Sequence, residues 1–203
     1  MTNRGILIVF SGPSGVGKST LLGHFFSKER DVSYSISATT RAPRKGEVDG
    51  KNYHFISHEE FARMIEHGQM LEHALYNGNY YGTPRTFVEQ ELAAGRDVIL
   101  EIEVKGAAQV KKTCPEALFV FVLPPAFDKL KDRLTGRGTE DDEAILGRLA
   151  AARYELEQAM EYDYIIVNDS LEEACENLNC VIKTAKFSIK YQKHMIEEVL
   201  KNA

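Results

Sequence analysis

With 203 residues, 43% of them hydrophobic and 27% charged, the chain has the composition of one globular domain and not of a disordered segment. Its net charge of −5 argues against a partner such as nucleic acid held by an overall positive field, although local arginine clusters can still grip phosphates. The longest apolar runs, Ile6–Phe10 and Leu118–Leu123, fall far short of the roughly 20 residues that span a bilayer, and the start of the chain lacks a cleavable signal pattern, so the expectation is a cytoplasmic protein without a membrane partner.

Taken in chain order, Gly5–Ser11 reads as a buried strand, followed by a glycine-rich loop and a helix over Thr20–Phe26. Residues 33–83 break the pattern and read as a small mixed insertion, with a strand at Tyr53–Ile56 and a helix at Glu59–His67. Alternation then resumes: helix Pro84–Ala94, strand Asp97–Glu103, helix Gly106–Thr113, strand Leu118–Leu123 and helix Ala126–Thr135. Residues 136–154 begin with Gly136, Arg137 and Gly138 and pass through acidic residues into a helical run from Ala144 to Met160, a composition that suits a mobile lid. Strand Tyr164–Asn168 and one or two helices over Leu171–Leu200 finish the chain. Strands alternating with helices predict an α/β fold in which a parallel sheet is covered by helices, with 1–32, 84–135 and 155–203 as its core. Cys114, Cys175 and Cys180 are odd in number and unpaired in spacing, as expected of reduced thiols, and His54 and His58 straddle a strand end and a turn where a shared metal is not expected.

The loop Gly12-Pro13-Ser14-Gly15-Val16-Gly17-Lys18-Ser19 matches G-x-x-x-x-G-K-[ST] between a strand and a helix. Glycines let backbone N–H groups turn toward phosphate oxygens, and the start of the helix adds its positive end. The Lys18 ammonium then reaches the β and γ oxygens, while the Ser19 hydroxyl offers a hard oxygen to Mg²⁺, so a magnesium nucleotide is implied. Thr20 continues this phosphate-binding stretch. The loop alone does not separate kinases from motors or switch GTPases.

The insertion narrows the choice. It carries Ser37-Ala38-Thr39-Thr40-Arg41-Ala42-Pro43-Arg44-Lys45-Gly46-Glu47, then Tyr53, Glu72 and Gly78-Asn79-Tyr80-Tyr81-Gly82-Thr83. Together with the phosphate loop, Gly136–Glu140 and Ile166-Val167-Asn168-Asp169, these motifs resemble the guanylate kinase family over nearly the whole chain. The resemblance implies a P-loop kinase fold with an inserted GMP-binding subdomain and a lid, and transfer of the γ-phosphate of ATP to GMP. Arg41, Arg44, Tyr53 and Tyr81 match the family's holders of the GMP phosphate, and guanidinium forks with phenol donors suit that oxyanion. Ser37, Glu72, Thr83 and Glu103 match its readers of guanine, whose N1 and N2 donors suit an ionised carboxylate that the N1 acceptor of adenine would repel.

Many members carry aspartate first in the acidic-x-acidic pair, where this chain has Glu101-Ile102-Glu103; Glu101 is expected to hold Mg²⁺ through water and steer the reacting groups. The resemblance further implies that Arg133, Arg137 and Arg148 are delivered to the transferred phosphoryl group by lid closure, and that the donor adenine lies near Asn168. Catalysis then falls to Lys18, Arg41, Glu101, Arg137 and Arg148 through alignment and charge, since the attacking phosphate is already anionic. The rival readings are a silent protein-binding relative, disfavoured by the intact loop, and a kinase for another monophosphate, which Glu72 decides. A homo-oligomer is compatible with the chain.

Overall fold

The computed structural model describes residues 4–29, 31–135 and 142–201. In chain order the elements are β1 (Leu7–Ser11), α1 (Lys18–Lys28), β2 (Val32–Tyr34), β3 (Ala38–Thr39), β4 (His54–Phe55), α2 (His58–Glu66), β5 (Met70–Tyr76), β6 (Asn79–Pro84), α3 (Arg85–Ala93), β7 (Asp97–Glu101), α4 (Val104–Thr113), β8 (Leu118–Leu123), α5 (Phe127–Thr135), α6 (Asp142–Glu157), β9 (Tyr164–Val167), α7 (Leu171–Ala185) and α8 (Ile189–Lys201). Their contacts divide them into two compact units: residues up to Ser11 with the stretch ending at Phe119, and Gly12–Glu29 with the chain from Val120 onward.

In the first unit β2 and β1 flank β7, and both pairings are parallel. All five residues of β1 are buried, as are the first four of β7, which is why both read as unbroken apolar runs instead of alternating ones. The pairing Ser33↔Val98 puts the first residues of the stretch read as an insertion into this parallel sheet. A second sheet follows, ordered β4-β3-β6-β5. Helix α2 closes it by burying Phe61 in a cluster with Ala38 and Met70, and it is capped by Ser57, whose side chain accepts from the Glu60 N–H. The hairpin β5–β6 turns on Asn77 and Gly78, with φ of 47° and 75°. Asn-Gly is the pair a two-residue type I′ turn demands, so this hairpin is written in the sequence even though the insertion read only as mixed structure.

The second unit contains the parallel pair β8–β9, in register from Val120↔Tyr164 to Leu123↔Val167. Helix α7, capped by Ser170, buries Ala174, Cys175, Leu178, Ile182 and Ala185 and packs on α1 and β9. The expected terminal helical stretch is two helices, interrupted after Ala185 by a turn in which Phe187 N–H donates to Thr184 O. The α/β expectation therefore holds in both units. Among the described residues, no helix is long and apolar enough to cross a membrane.

Three element boundaries differ from expectation in ways that matter for the site. Helix α1 begins at Lys18 and not Thr20, because Gly17 takes the left-handed conformation (φ 95°) and so serves as the residue just outside the helix. Strand β7 stops at Glu101, and Glu103 is the extended residue ahead of α4, which starts at Val104 instead of Gly106. The two glutamates consequently belong to different local structures.

Candidate active site

The glycine-rich loop closes on itself before α1. Val16 N–H donates to Pro13 O, and Lys18 Nζ donates to Gly12 O at 2.6 Å and to Pro13 O at 3.2 Å. The ammonium is thereby held over the loop by carbonyl oxygens. Ser14 N–H donates to Glu155 Oε2 of α6 at 3.0 Å, so one loop amide already points at an anionic oxygen, which is what a polyphosphate cradle requires. Ser19 and Thr20 are exposed on the first turn of α1, where the helix end carries positive potential.

Val16 O is gripped from behind by Asn168 Nδ2 (2.8 Å) and an Arg133 guanidinium nitrogen (3.2 Å), while a second Arg133 nitrogen donates to Asn168 O (3.2 Å). A methyl group at Gly17 would sit 2.7 Å from Asn168 Nδ2, so glycine is needed there for contact as well as for backbone angle. Asn168 is only 7% exposed, and its amide is committed to the loop. Asn168 and Arg133, both expected beside the nucleotide, thus also brace the glycine-rich loop. Arg148 is half-buried on α6, and Arg137 lies outside the described residues with the first part of the expected lid.

The first unit contains a cavity of about 310 Å³. Ser37, Arg41, Arg44, Tyr53, Glu72, Tyr81, Glu101 and Glu103 all line it, so eight residues spread over 67 positions of the chain meet at one surface. Its chemistry is divided. Arg41, Arg44, Tyr53 and Tyr81 form a cationic and phenolic group, with Arg41 Nε donating to the Tyr81 hydroxyl at 3.3 Å and its guanidinium 5.5 Å from the Tyr53 ring centre. The Glu72 carboxylate is 7% exposed, and Thr83 Oγ1 donates to its Oε1 at 2.7 Å. Thr83 itself does not line the cavity; it stands behind Glu72 and orients it. Burial pushes the Glu72 carboxyl up to about 7, against the Thr83 bond, with the charge of Glu103 adding to the rise.

A model of the guanylate kinase family matches residues 4–185. The guanylate kinase of Lactococcus lactis subsp. lactis is 51% identical over 98% of this chain and 99% of its own, and that of Enterococcus faecalis is 51% identical over 98% and 100%. The chain belongs to the guanylate kinase family. Guanylate kinases are ATP:GMP phosphotransferases, which agrees with a chain that carries both a phosphate loop and a cavity of this character. The crystal structure of guanylate kinase from Anaplasma phagocytophilum is similar throughout, with a TM-score of 0.76, 31% identity, and coverage of 94% of this chain and 90% of that one.

Four residues of this guanylate kinase that sequence reasoning left without a role now have one. Glu47 takes two bonds from the Arg41 guanidinium, both 2.9 Å, and one from Arg44 N–H at 2.6 Å. It thus ties the Arg41 guanidinium to the Arg44 backbone, and the Arg41 bonds, then the Arg44 amide, hold its carboxyl below the usual range. Its place six residues after Arg41 in the same motif was a usable signal. Tyr34 on β2 donates its hydroxyl to Glu101 Oε2 at 3.1 Å, so the longer acidic side chain at this position has a neighbour that meets it. Gly106 makes room for the Glu72 side chain: a methyl there would lie 2.5 Å from Glu72 Oε2. Glu155 reaches the loop from 141 residues away, and no local pattern announces such a contact.

Proposed function

We propose that the cavity of the first unit is the GMP site and the loop Gly12–Ser19 the ATP polyphosphate site of a guanylate kinase that forms ADP and GDP. The observation that carries this reading is the division of charge in the cavity: a buried carboxylate with a hydroxyl behind it, facing paired arginines and tyrosines. Guanine offers two adjacent donors to such a carboxylate, and a monophosphate offers acceptors to the guanidinium forks. Residues 33–83 form the acceptor-binding insertion in this reading, and residues 136–154 the lid that carries Arg137 and Arg148.

Chemistry here is alignment and charge. Lys18 neutralises the β and γ oxygens, Arg41 and Arg44 hold the attacking GMP phosphate, and Arg137 and Arg148 reduce charge on the group in flight. The GMP phosphate is itself the nucleophile, so no side chain has to remove a proton. Water must be kept out, since it competes for the phosphoryl group. The Ser19 hydroxyl, exposed at the helix start, is a hard oxygen donor that fits Mg²⁺, which when bound would neutralise phosphate charge; Glu101 would act on the ion through water.

The test is a panel of acceptors, GMP, IMP, AMP, UMP and CMP, assayed for ADP release with ATP and magnesium. The expected result is ADP formation with GMP far exceeding that with any other acceptor, and none after chelation. Equal turnover with AMP, or none with GMP from folded protein, refutes the proposal.

A further inference from the structure

Helix α4 makes an unusual contact with the strand that carries Glu72. The side-chain amide of Gln109 accepts from His73 N–H through Oε1 (3.1 Å) and donates through Nε2 to His73 O (2.8 Å). Only one orientation of the amide satisfies both groups, because the flipped amide would set donor against donor and acceptor against acceptor. Strand β5 is the end strand of its sheet, so these His73 groups meet what a further strand would otherwise supply. The pairing of β5 with β6 is irregular between Met70 and Glu72, so the ladder is interrupted just where Glu72 has to be placed.

One helical turn back on the same face of α4 stands Gly106, whose backbone is the surface the Glu72 carboxylate rests on. The two contacts act together: Gln109 fixes the height of β5 along α4, and Gly106 fixes how closely Glu72 approaches. Thr83 supplies the third constraint from β6. Gln109 is half-buried and does not line the cavity.

We infer that Gln109 is a positioning residue for base selection, holding the β5 backbone beside Glu72 so that the carboxylate meets both N1–H and the 2-amino group of guanine. This rests on the reading of Glu72 as the guanine-selecting carboxylate. IMP lacks the 2-amino group and can make only the N1–H bond, so the ratio of GMP to IMP reports the second bond, the one that depends on how β5 is held. A residue needed only for general packing would change the two acceptors equally.

The experiment compares kcat/KM for GMP and IMP in the wild type, Gln109→Met, Gln109→Glu and Glu72→Gln, with KM for ATP and the melting temperature as controls. Gln109→Met keeps volume and loses both bonds; Gln109→Glu keeps an acceptor for His73 N–H and decides the question if the first variant does not fold. For Gln109→Met the expected result is a rise of about tenfold in KM for GMP, a smaller rise for IMP, and no change for ATP, the scale of one hydrogen bond to a charged group. Gln109→Glu should keep more of the preference for GMP over IMP than Gln109→Met does. If GMP and IMP suffer equally, or neither changes, Gln109 has no positioning role. If Glu72→Gln leaves the GMP-over-IMP preference intact, the underlying reading of Glu72 fails instead, and the two failures are told apart.

Discussion

Replacing Glu72 with glutamine should weaken GMP binding while making the protein more stable above neutral pH. Burial raises the carboxyl from its ordinary 4.5 to about 7, so the neutral acid is the form the fold favours. Guanine needs the ionised form as acceptor. Binding is therefore coupled to loss of a proton, and KM for GMP should rise about tenfold between pH 8 and pH 6 as Glu72 protonates. The second ionisation of the GMP phosphate, near 6, contributes equally in both enzymes, so the ratio of the two KM values isolates the carboxyl. That ratio should be largest at pH 8, at about 10 to 100, and collapse toward pH 6.

Stability runs the other way. A carboxyl whose value is raised in the fold contributes stability that is complete below 4.5 and is lost as pH rises through about 7. With 1.36 kcal/mol per pH unit, the wild type should lose about 2 kcal/mol between pH 5.5 and pH 8 that the glutamine variant keeps. Urea denaturation at the two pH values measures this directly. A KM ratio that does not move with pH, together with parallel stability curves, would refute both the burial argument and the role of Glu72 in guanine recognition.

Lys18→Ala should cut kcat by about a thousandfold or more with an unchanged circular dichroism spectrum, since the ammonium acts on phosphate oxygens and lies against carbonyls of its own loop. Gly106→Ala puts a methyl 2.5 Å from Glu72 Oε2, so KM for GMP should rise about tenfold while calorimetric ATP affinity stays constant; equal losses for both nucleotides would count against this assignment. Gly17→Ala meets Asn168 Nδ2 at 2.7 Å and demands a left-handed alanine, so ATP binding should fail first with GMP binding spared, as equilibrium dialysis with each nucleotide would reveal.

The sequence by itself determined the phosphate loop, because a loop that wraps phosphates with its own backbone needs its glycines and lysine at fixed local spacing, and Gly12 to Ser19 are contiguous. It also determined the parallel strands, since β1, β7 and β8 are nearly continuous apolar runs. The residues that line the proposed GMP cavity were legible only as motif positions. Glu72 shows why: on local pattern it reads as a solvated residue at a helix end, and only the pairing of β5 with β6 and the glycine at 106 of α4 make it a buried carboxyl with a raised affinity for its proton. The contacts of Asn168 and Arg133 with Val16 O were illegible for the same reason. Hydrogen bonds joining residues 36 to 152 positions apart leave no periodic trace, because periodicity records only which face of an element is buried, and the partner that completes each polar group is chosen by tertiary packing.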